Sequence, residues 1–434
     1  QDLQTQIKAN FPGYDRLVRP LPPQVAEVAQ ALNSQEALIF LQPEAKGVHV
    51  WAVVNQPGTP QSRHHWVPWS IDALTADVAA LRKPLEGMGE TGKVNPFPEQ
   101  LAHAMYQKLI APLGQDILNQ TQWIVAANGP LARIPFSLLL VQPAQNPQDS
   151  VWLIDRVAIT HVPSVGSWLS LRSLPRTNLP DQSLMAWGDP SFKPQTPMTT
   201  TAGRTQVRAL RNTPVSNNDL EQEVLGVSNL YHDIPPLPET RDELLQLAKA
   251  LQAQPSDLIM GPQATRQSVL QANQAGVLQR KKVIVFATHG LMAGELPGLT
   301  QPALALAANG EETRNPLSPL LTLEDVLGLK LNSDWVVLSA CNTASGDGKA
   351  EEALSGLARG FFYAGSRSLL VTHWAVETVG AMNLTTKTFA AYKENSQIRR
   401  AEALRQAMLD TMKNPQFAHP TFWAPYALVG EGGR

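Results

Sequence analysis

KVIVFATHG at residues 282–290 and DWVVLSACN at residues 334–342 are short, almost wholly apolar runs, and each closes on a reactive side chain. Runs of this length, rich in Val and Ile and bounded by polar residues, read as strands buried on both faces, as in the middle of a parallel sheet. From Leu184 onward strand and helix patterns alternate around them. Strands are predicted at Leu184 to Trp187, Asp257 to Met260, Lys282 to Thr288, Trp335 to Ala340, Arg367 to His373 and Pro425 to Val429. Helices are predicted at Asp219 to Tyr231, Glu239 to Ala253, Arg266 to Ala275, Glu352 to Ala364, Thr378 to Tyr392 and Arg399 to Met412. Such alternation implies an α/β fold: a mostly parallel sheet with helices on both faces.

Working upstream, residues 37–54 read as two extended segments around a Pro, Lys and Gly turn, a hairpin. Ile71 to Leu85 and Glu99 to Leu118 carry apolar residues at helical spacing, with proline in or beside each run. Short strands are expected at Trp123 to Ala127 and Arg156 to His161, with a helix around Phe136 to Val141 between them. Gln142 to Ser150, Ser173 to Ser183 and Ser191 to Asn218 are rich in Pro, Thr, Asn and Gln and read as loops. The last carries Lys193, Arg204, Arg208 and Arg211, which makes it an exposed segment or a regulatory, self-cleaved one.

The chain's 434 residues exceed the roughly 250–300 at which single cores stop growing, so two packed units are expected. A composition of 43% hydrophobic and 17% charged residues is that of a folded chain rather than a disordered one. A net charge of -2 offers no electrostatic footprint for a phosphate backbone, so nucleic acid is not expected as a partner. The longest apolar runs fall far short of the roughly 20 residues of a membrane-spanning helix. The chain opens on Gln1 and its first thirty residues lack the blocks of a signal peptide, which reads as an excerpt of a longer protein. A single cysteine excludes an intramolecular disulfide and any multi-cysteine metal site.

In open parallel sheets, sites form at the carboxyl ends of the strands, where His289 and Cys341 fall. If the two strands are neighbours, imidazole and thiol face each other across one crevice. A thiolate can then attack a peptide carbonyl while the imidazole manages protons for the thiol and the departing amine. Gly290, with no Cβ, lets a carbonyl oxygen approach its N–H, which with the N–H of Cys341 makes an oxyanion hole. A strand-end cysteine is also a common small core filler, and a histidine beside a glycine can be simply packed. Spacing alone leaves both readings open.

FATHGLMAGELPGL (286–299), WVVLSACNTASGDG (335–348), EEALSGLARGFFYAGSRSLLVTHWAVE (351–377) and HPTFWAPYALVGEG (419–432) resemble the CHAT domain of bacteria, a caspase-related peptidase domain usually found behind tetratricopeptide repeats. The resemblance extends through WIVAANGPLARIPFSLL (123–139), HVPSVGSW (161–168), GDPSF (188–192), PPLPETRDEL (235–244) and PQATRQSVL (262–270), and so covers roughly residues 20–434. It implies a caspase-like fold, as in caspases, gingipains and separases, with the catalytic histidine carried onto His289 and the catalytic cysteine onto Cys341. It also implies a division into a lead-in at 1–30, a smaller α/β, degenerate caspase-like or scaffolding half at 31–175, and the peptidase half at 176–434. The strand after the nucleophile would place Thr372, His373 and Trp374 beside a bound peptide, although Trp374 is equally readable as a core aromatic.

The activity implied is a cysteine endopeptidase acting on protein or peptide through a Cys–His dyad, with no metal or organic cofactor and with an upstream tetratricopeptide-like region or partner as regulator. The loops Ser191 to Asn218 and Ala344 to Glu351 are candidates to order on activation. The alternative is a catalytically silent CHAT module serving as an interaction scaffold. A bacterial source would make the compartment cytoplasmic or periplasmic, and the sequence does not choose. Metacaspases read a basic residue partly through an acid two positions before the cysteine, where this chain has Ser339; Glu295, Asp347 and Glu377 are the other acids near the expected site. GMGETGKV (87–94) mimics a phosphate loop but has Val94 in place of the magnesium-binding hydroxyl, and the adjacent His64 and His65 lack a third ligand at metal spacing.

Overall fold

Alternating apolar and polar residues fold the first expected hairpin. Strand β1 (Glu36–Glu44) runs antiparallel to β2 (Gly47–Gln56), with Ile39 opposite Ala52 and Leu41 opposite Val50. The computed structural model describes residues 22–56, 59–86, 94–145, 149–174, 179–193, 230–308, 315, 317–339, 349–374, 378–395 and 397–433. A further strand, β3 (Thr59–Val67), pairs along the whole of β2. Its sequence, TPQSRHHWV, has no apolar run, which suits an edge strand with one side open to solvent. His64, within it, is bonded to His49 across the ladder at 2.9 Å.

β4 (Gln122–Ala127) and β7 (Ala158–His161) extend this sheet in parallel on the other side of β1. Between them, the helix expected at Phe136 to Val141 is absent. Phe136–Leu138 is a single 3-10 turn, and β5 (Leu140–Gln142) pairs with β6 (Val151–Trp152). The reason is visible in the burial: residues 136–140 are buried without interruption, so no polar face exists for a helix to turn outward. The run from Glu99 also stops early, at Leu109, because Pro112 opens a 3-10 turn and Gly114 takes φ +90°.

The predicted strands of the second half are all present: β8 (Gln182–Pro190), β9 (Leu258–Gly261), β10 (Lys281–Ala287), β14 (Trp335–Leu338), β15 (Ser368–Thr372) and β16 (Tyr426–Gly430). A small antiparallel sheet of β11 (Gly290–Leu291), β12 (Ala303–Ala305) and β13 (Leu320–Thr322) follows β10. The main sheet has eleven strands in the order β3-β2-β1-β4-β7-β16-β15-β14-β10-β8-β9 and is mostly parallel, so the fold is α/β. Its two halves meet where β7 runs parallel to β16, with His161 opposite Val429.

Helices cover both faces, as a parallel sheet requires. On one face lie α2 (Ile71–Arg82), α3 (Glu99–Leu109), α5 (Glu239–Leu251), α8 (Thr378–Glu394) and α9 (Arg400–Met412). On the other lie α1 (Val25–Ala31) and α4 (Val165–Ser173) over the first half, and α6 (Arg266–Gln274) and α7 (Lys349–Ala364) over the second. Along β14, Trp335 and Val337 enter the first core while Val336 and Leu338 enter the second. Side-chain hydroxyls start several helices: Ser164 accepts from the N–H of Ser167, and Thr265 from that of Ser268. The helix expected at Asp219 to Tyr231 except its last two residues, which are helical, most of the loop at Ser191 to Asn218, and the mimic at Gly87 to Val94 except its last residue lie outside the described residues.

Candidate active site

β10 and β14 are direct parallel neighbours, with Phe286 opposite Leu338 and the Ser339 N–H donating to the Phe286 carbonyl at 3.1 Å. His289 stands three residues beyond Phe286, and Cys341 three residues beyond Leu338. Both therefore follow the same end of the same pair of strands. Cys341 itself, with Asp347 and Glu377, lies outside the described residues.

The His289 ring is fixed by the main chain. Its Nε2 lies 2.8 Å from the carbonyl oxygen of Pro235. A carbonyl only accepts, so Nε2 carries the proton and Nδ1 of the neutral ring keeps its lone pair. Phe192 packs at 5.6 Å between ring centroids. Burial lowers the imidazole pKa below its ordinary 6.5, against the opposing pull of the Pro235 hydrogen bond and the Glu239 charge. At neutral pH the ring is thus uncharged, the state of a general base.

Gly290 sits opposite Leu304, and the Ala305 N–H donates to the His289 carbonyl at 2.9 Å. That pattern makes Gly290 and Leu304 a non-hydrogen-bonded pair, so the Gly290 N–H turns away from β12. Thr372, opposite Tyr426 in the β15–β16 ladder, is buried. His373 donates its N–H to Pro425, accepts from the Arg82 guanidinium at 2.9 Å, and turns its ring edge to His161 at 6.2 Å. Burial, then the neighbouring His161 and Arg82, hold the His373 pKa well below 6.5. Trp374 is 3% exposed and donates its indole N–H to the Thr421 carbonyl. Glu295 accepts from the Met292 N–H in its own turn.

A buried carboxylate joins this end of the sheet that the spacing of motifs did not reveal. Glu243 of α5 receives the Ser339 hydroxyl at 3.1 and 3.2 Å and the Thr385 hydroxyl, from α8, at 3.3 Å. Tyr426 Oη stands 3.2 Å from the same Ser339 oxygen. Burial pushes the Glu243 pKa up to about 7, the Ser339 and Thr385 hydroxyls pull it partly back, and Glu239 adds to the rise. The signal was present in the sequence as a charge on an apolar stripe, because Glu243 shares its helix face with Leu247 and Leu251. Pro235 had none, since its contribution is a main-chain carbonyl.

The raised Glu243 pKa has a definite consequence for stability. The folded protein holds this proton more tightly than the unfolded chain, whose carboxyl titrates near 4.5. The contribution is therefore complete below pH 4.5 and is lost as pH rises through about 7. Between those limits Glu243→Gln should gain about 3 kcal/mol relative to wild type, read by urea unfolding at pH 4.5 and pH 8. A difference between the two proteins that does not change with pH would show that folding leaves the Glu243 pKa unshifted.

The CHAT domain model of the protein families matches residues 99–431. Tetratricopeptide repeat protein 28 of Homo sapiens is 25% identical over 367 residues, covering 77% of this chain and 13% of its own. Its Mus musculus counterpart is 24% identical over 360 residues, covering 75% and 13%. The chain thus spans 13% of the length of these curated relatives, and their mammalian origin gives no support to a bacterial source. Among solved structures, the Arg specific cysteine proteinase gingipain R is similar with a TM-score of 0.39 at 10% identity, covering 77% of this chain and 67% of that one. Saccharomyces cerevisiae separase, in its complex with securin, gives 0.47 at 10% identity, covering 94% and 30%.

Proposed function

This chain belongs to the CHAT domain family, and on that premise we propose that it is a cysteine endopeptidase in which Cys341 is the nucleophile and His289 its proton carrier. The observation that carries this reading is the register of β10 and β14, which sets Phe286 opposite Leu338, the residues from which the chain runs on to His289 and to Cys341. Each of the two residues is three beyond a paired strand residue, a reach of at most about 10 Å of chain.

In this reading the thiol proton passes to Nδ1 of His289, and the thiolate adds to the carbonyl carbon of the scissile bond. The Gly290 and Cys341 N–H groups receive the negative oxygen. Collapse breaks the C–N bond, the amine leaves with the imidazolium proton, and water hydrolyses the thioester with His289 again as base. The Pro235 carbonyl, by holding Nε2–H, keeps Nδ1 toward the thiol throughout. Thr372, His373 and Trp374 stand beside the bound peptide in this reading, with Thr372 and Trp374 buried and His373 partly open. The curated relatives are named for tetratricopeptide repeats, and such a region upstream would present the substrate.

The test is incubation of wild type and Cys341→Ala with a diverse peptide library, in the chain alone and with its native upstream region attached. Cuts made by wild type and missing from the variant are expected. If wild type cuts nothing that Cys341→Ala leaves intact, the domain is a silent scaffold and this reading falls.

A further inference from the structure

Seven charged side chains are almost fully buried among the described residues, and six have an opposite charge beside them. Glu36 and Glu431 share Arg172, Arg82 meets Glu86, Lys281 meets Asp257, and Arg400 meets Asp334. Glu243 is the seventh. Its partners are the hydroxyls of Ser339 and Thr385, and no cation of the described residues pairs with it. Desolvating a carboxylate without a counter-charge is costly, and a chain that pairs its other buried charges leaves this one open.

The position of that exception is informative. Ser339 is two residues before Cys341, so their Cα atoms are within about 7 Å. A substrate attacked by Cys341 has its carbonyl carbon at the sulfur, and the side chain one bond further back hangs within the same reach. Glu243 and Ser339 are both buried, with 5% and 7% of their surfaces accessible, and they meet at the end of β14 from which the chain runs on to Cys341. We propose that Glu243, held by Ser339 and Thr385, is the floor of the pocket that receives the residue on the acyl side of the scissile bond, and that this residue is lysine or arginine. The inference rests on the peptidase reading. The Ser339 hydroxyl presents this acid of α5 at the end of β14, two residues before Cys341. An arriving ammonium or guanidinium supplies the missing charge, and pairing favours the ionised form of a carboxyl otherwise poised near 7.

The experiment measures cleavage of matched fluorogenic peptides with arginine, lysine, norleucine or aspartate before the cut, and, separately, calorimetric binding of agmatine, an arginine side chain without its carboxylate. Wild type should prefer the basic peptides over norleucine by about 100-fold in kcat/KM, and Glu243→Gln should reduce that ratio about 30-fold or more. Agmatine should saturate wild type at pH 8 and bind Glu243→Gln at least about 10-fold more weakly. Cleavage by wild type without basic preference overturns the pocket and leaves the peptidase standing, whether or not the variant folds. Agmatine binding that depends on Glu243, with no peptide cut, keeps the pocket and overturns the peptidase. Neither cleavage nor binding overturns both.

Discussion

Replacing His289 with alanine should lower kcat/KM for peptide cleavage by on the order of 10³-fold while leaving the protein folded. The ring contributes twice, as base for the thiol and as acid for the amine, and water replaces it poorly in either role. Its one described hydrogen bond is to the Pro235 carbonyl, so its loss removes little from the fold. The sign of the pH dependence follows from the environment. Burial lowers the His289 pKa below 6.5, so the base form persists into mild acid and the acidic limb of kcat/KM in the free enzyme should have its midpoint below that value. Raising pH through the midpoint should increase the rate, because it deprotonates the ring. His289→Ala should lose the limb together with the activity. A variant that keeps more than a tenth of the wild-type rate, or a wild-type limb centred above pH 7, would remove His289 from the role given to it.

The placement of His289 was legible because its cause is local. The apolar run of five residues from Val283 to Ala287, with its β-branched side chains, reads as a buried strand, and the chain just beyond it leaves the sheet at its edge. The adjacency of β10 and β14 was an expectation of topology, and the ladder from Val283 and Trp335 to Phe286 and Leu338 supplies it. What stayed hidden depends on contacts between distant segments. Pro235 acts through a carbonyl that every residue has. Glu243 stands on the apolar side of an otherwise ordinary amphipathic helix, and only the approach of Ser339, 96 residues away, gives it meaning. The differences had the same origin: β3 is polar because it is an edge, and Phe136 to Leu140 is buried throughout, Ser137 included, because tertiary packing, not helical periodicity, buries it.

Arg172→Ala should destabilise the protein by about 3–5 kcal/mol at pH 7, the cost of stranding buried acids once their shared cation is gone. From α4, the Arg172 guanidinium donates to Glu36 at 2.5 and 3.1 Å, to Glu431 at 2.7 and 2.8 Å, and to the Ala31 carbonyl at 2.8 Å. It also lies 4.7 Å over the Trp168 ring. The two carboxylates have different fates. Glu36 keeps Arg399 at 3.1 Å, whereas Glu431 loses its one ion pair among the described residues, with 5% of its surface accessible. Burial alone would raise the Glu431 pKa, but the Arg172 bonds and charge outweigh it and hold it below 4.5. That stabilisation is present above the unfolded value and is lost as pH falls through the folded one, so the gap between wild type and Arg172→Ala should narrow below about pH 4. Arg172→Lys retains charge without the fork and should fall between them. Glu36 opens β1 and Glu431 follows β16, so the guanidinium ties the two halves of the sheet beside the short β7–β16 seam. If that tie carries the seam, urea unfolding of Arg172→Ala will split into two transitions, one for each half; a single transition at an unchanged midpoint would mean that the hydrophobic cores hold the sheet together without it.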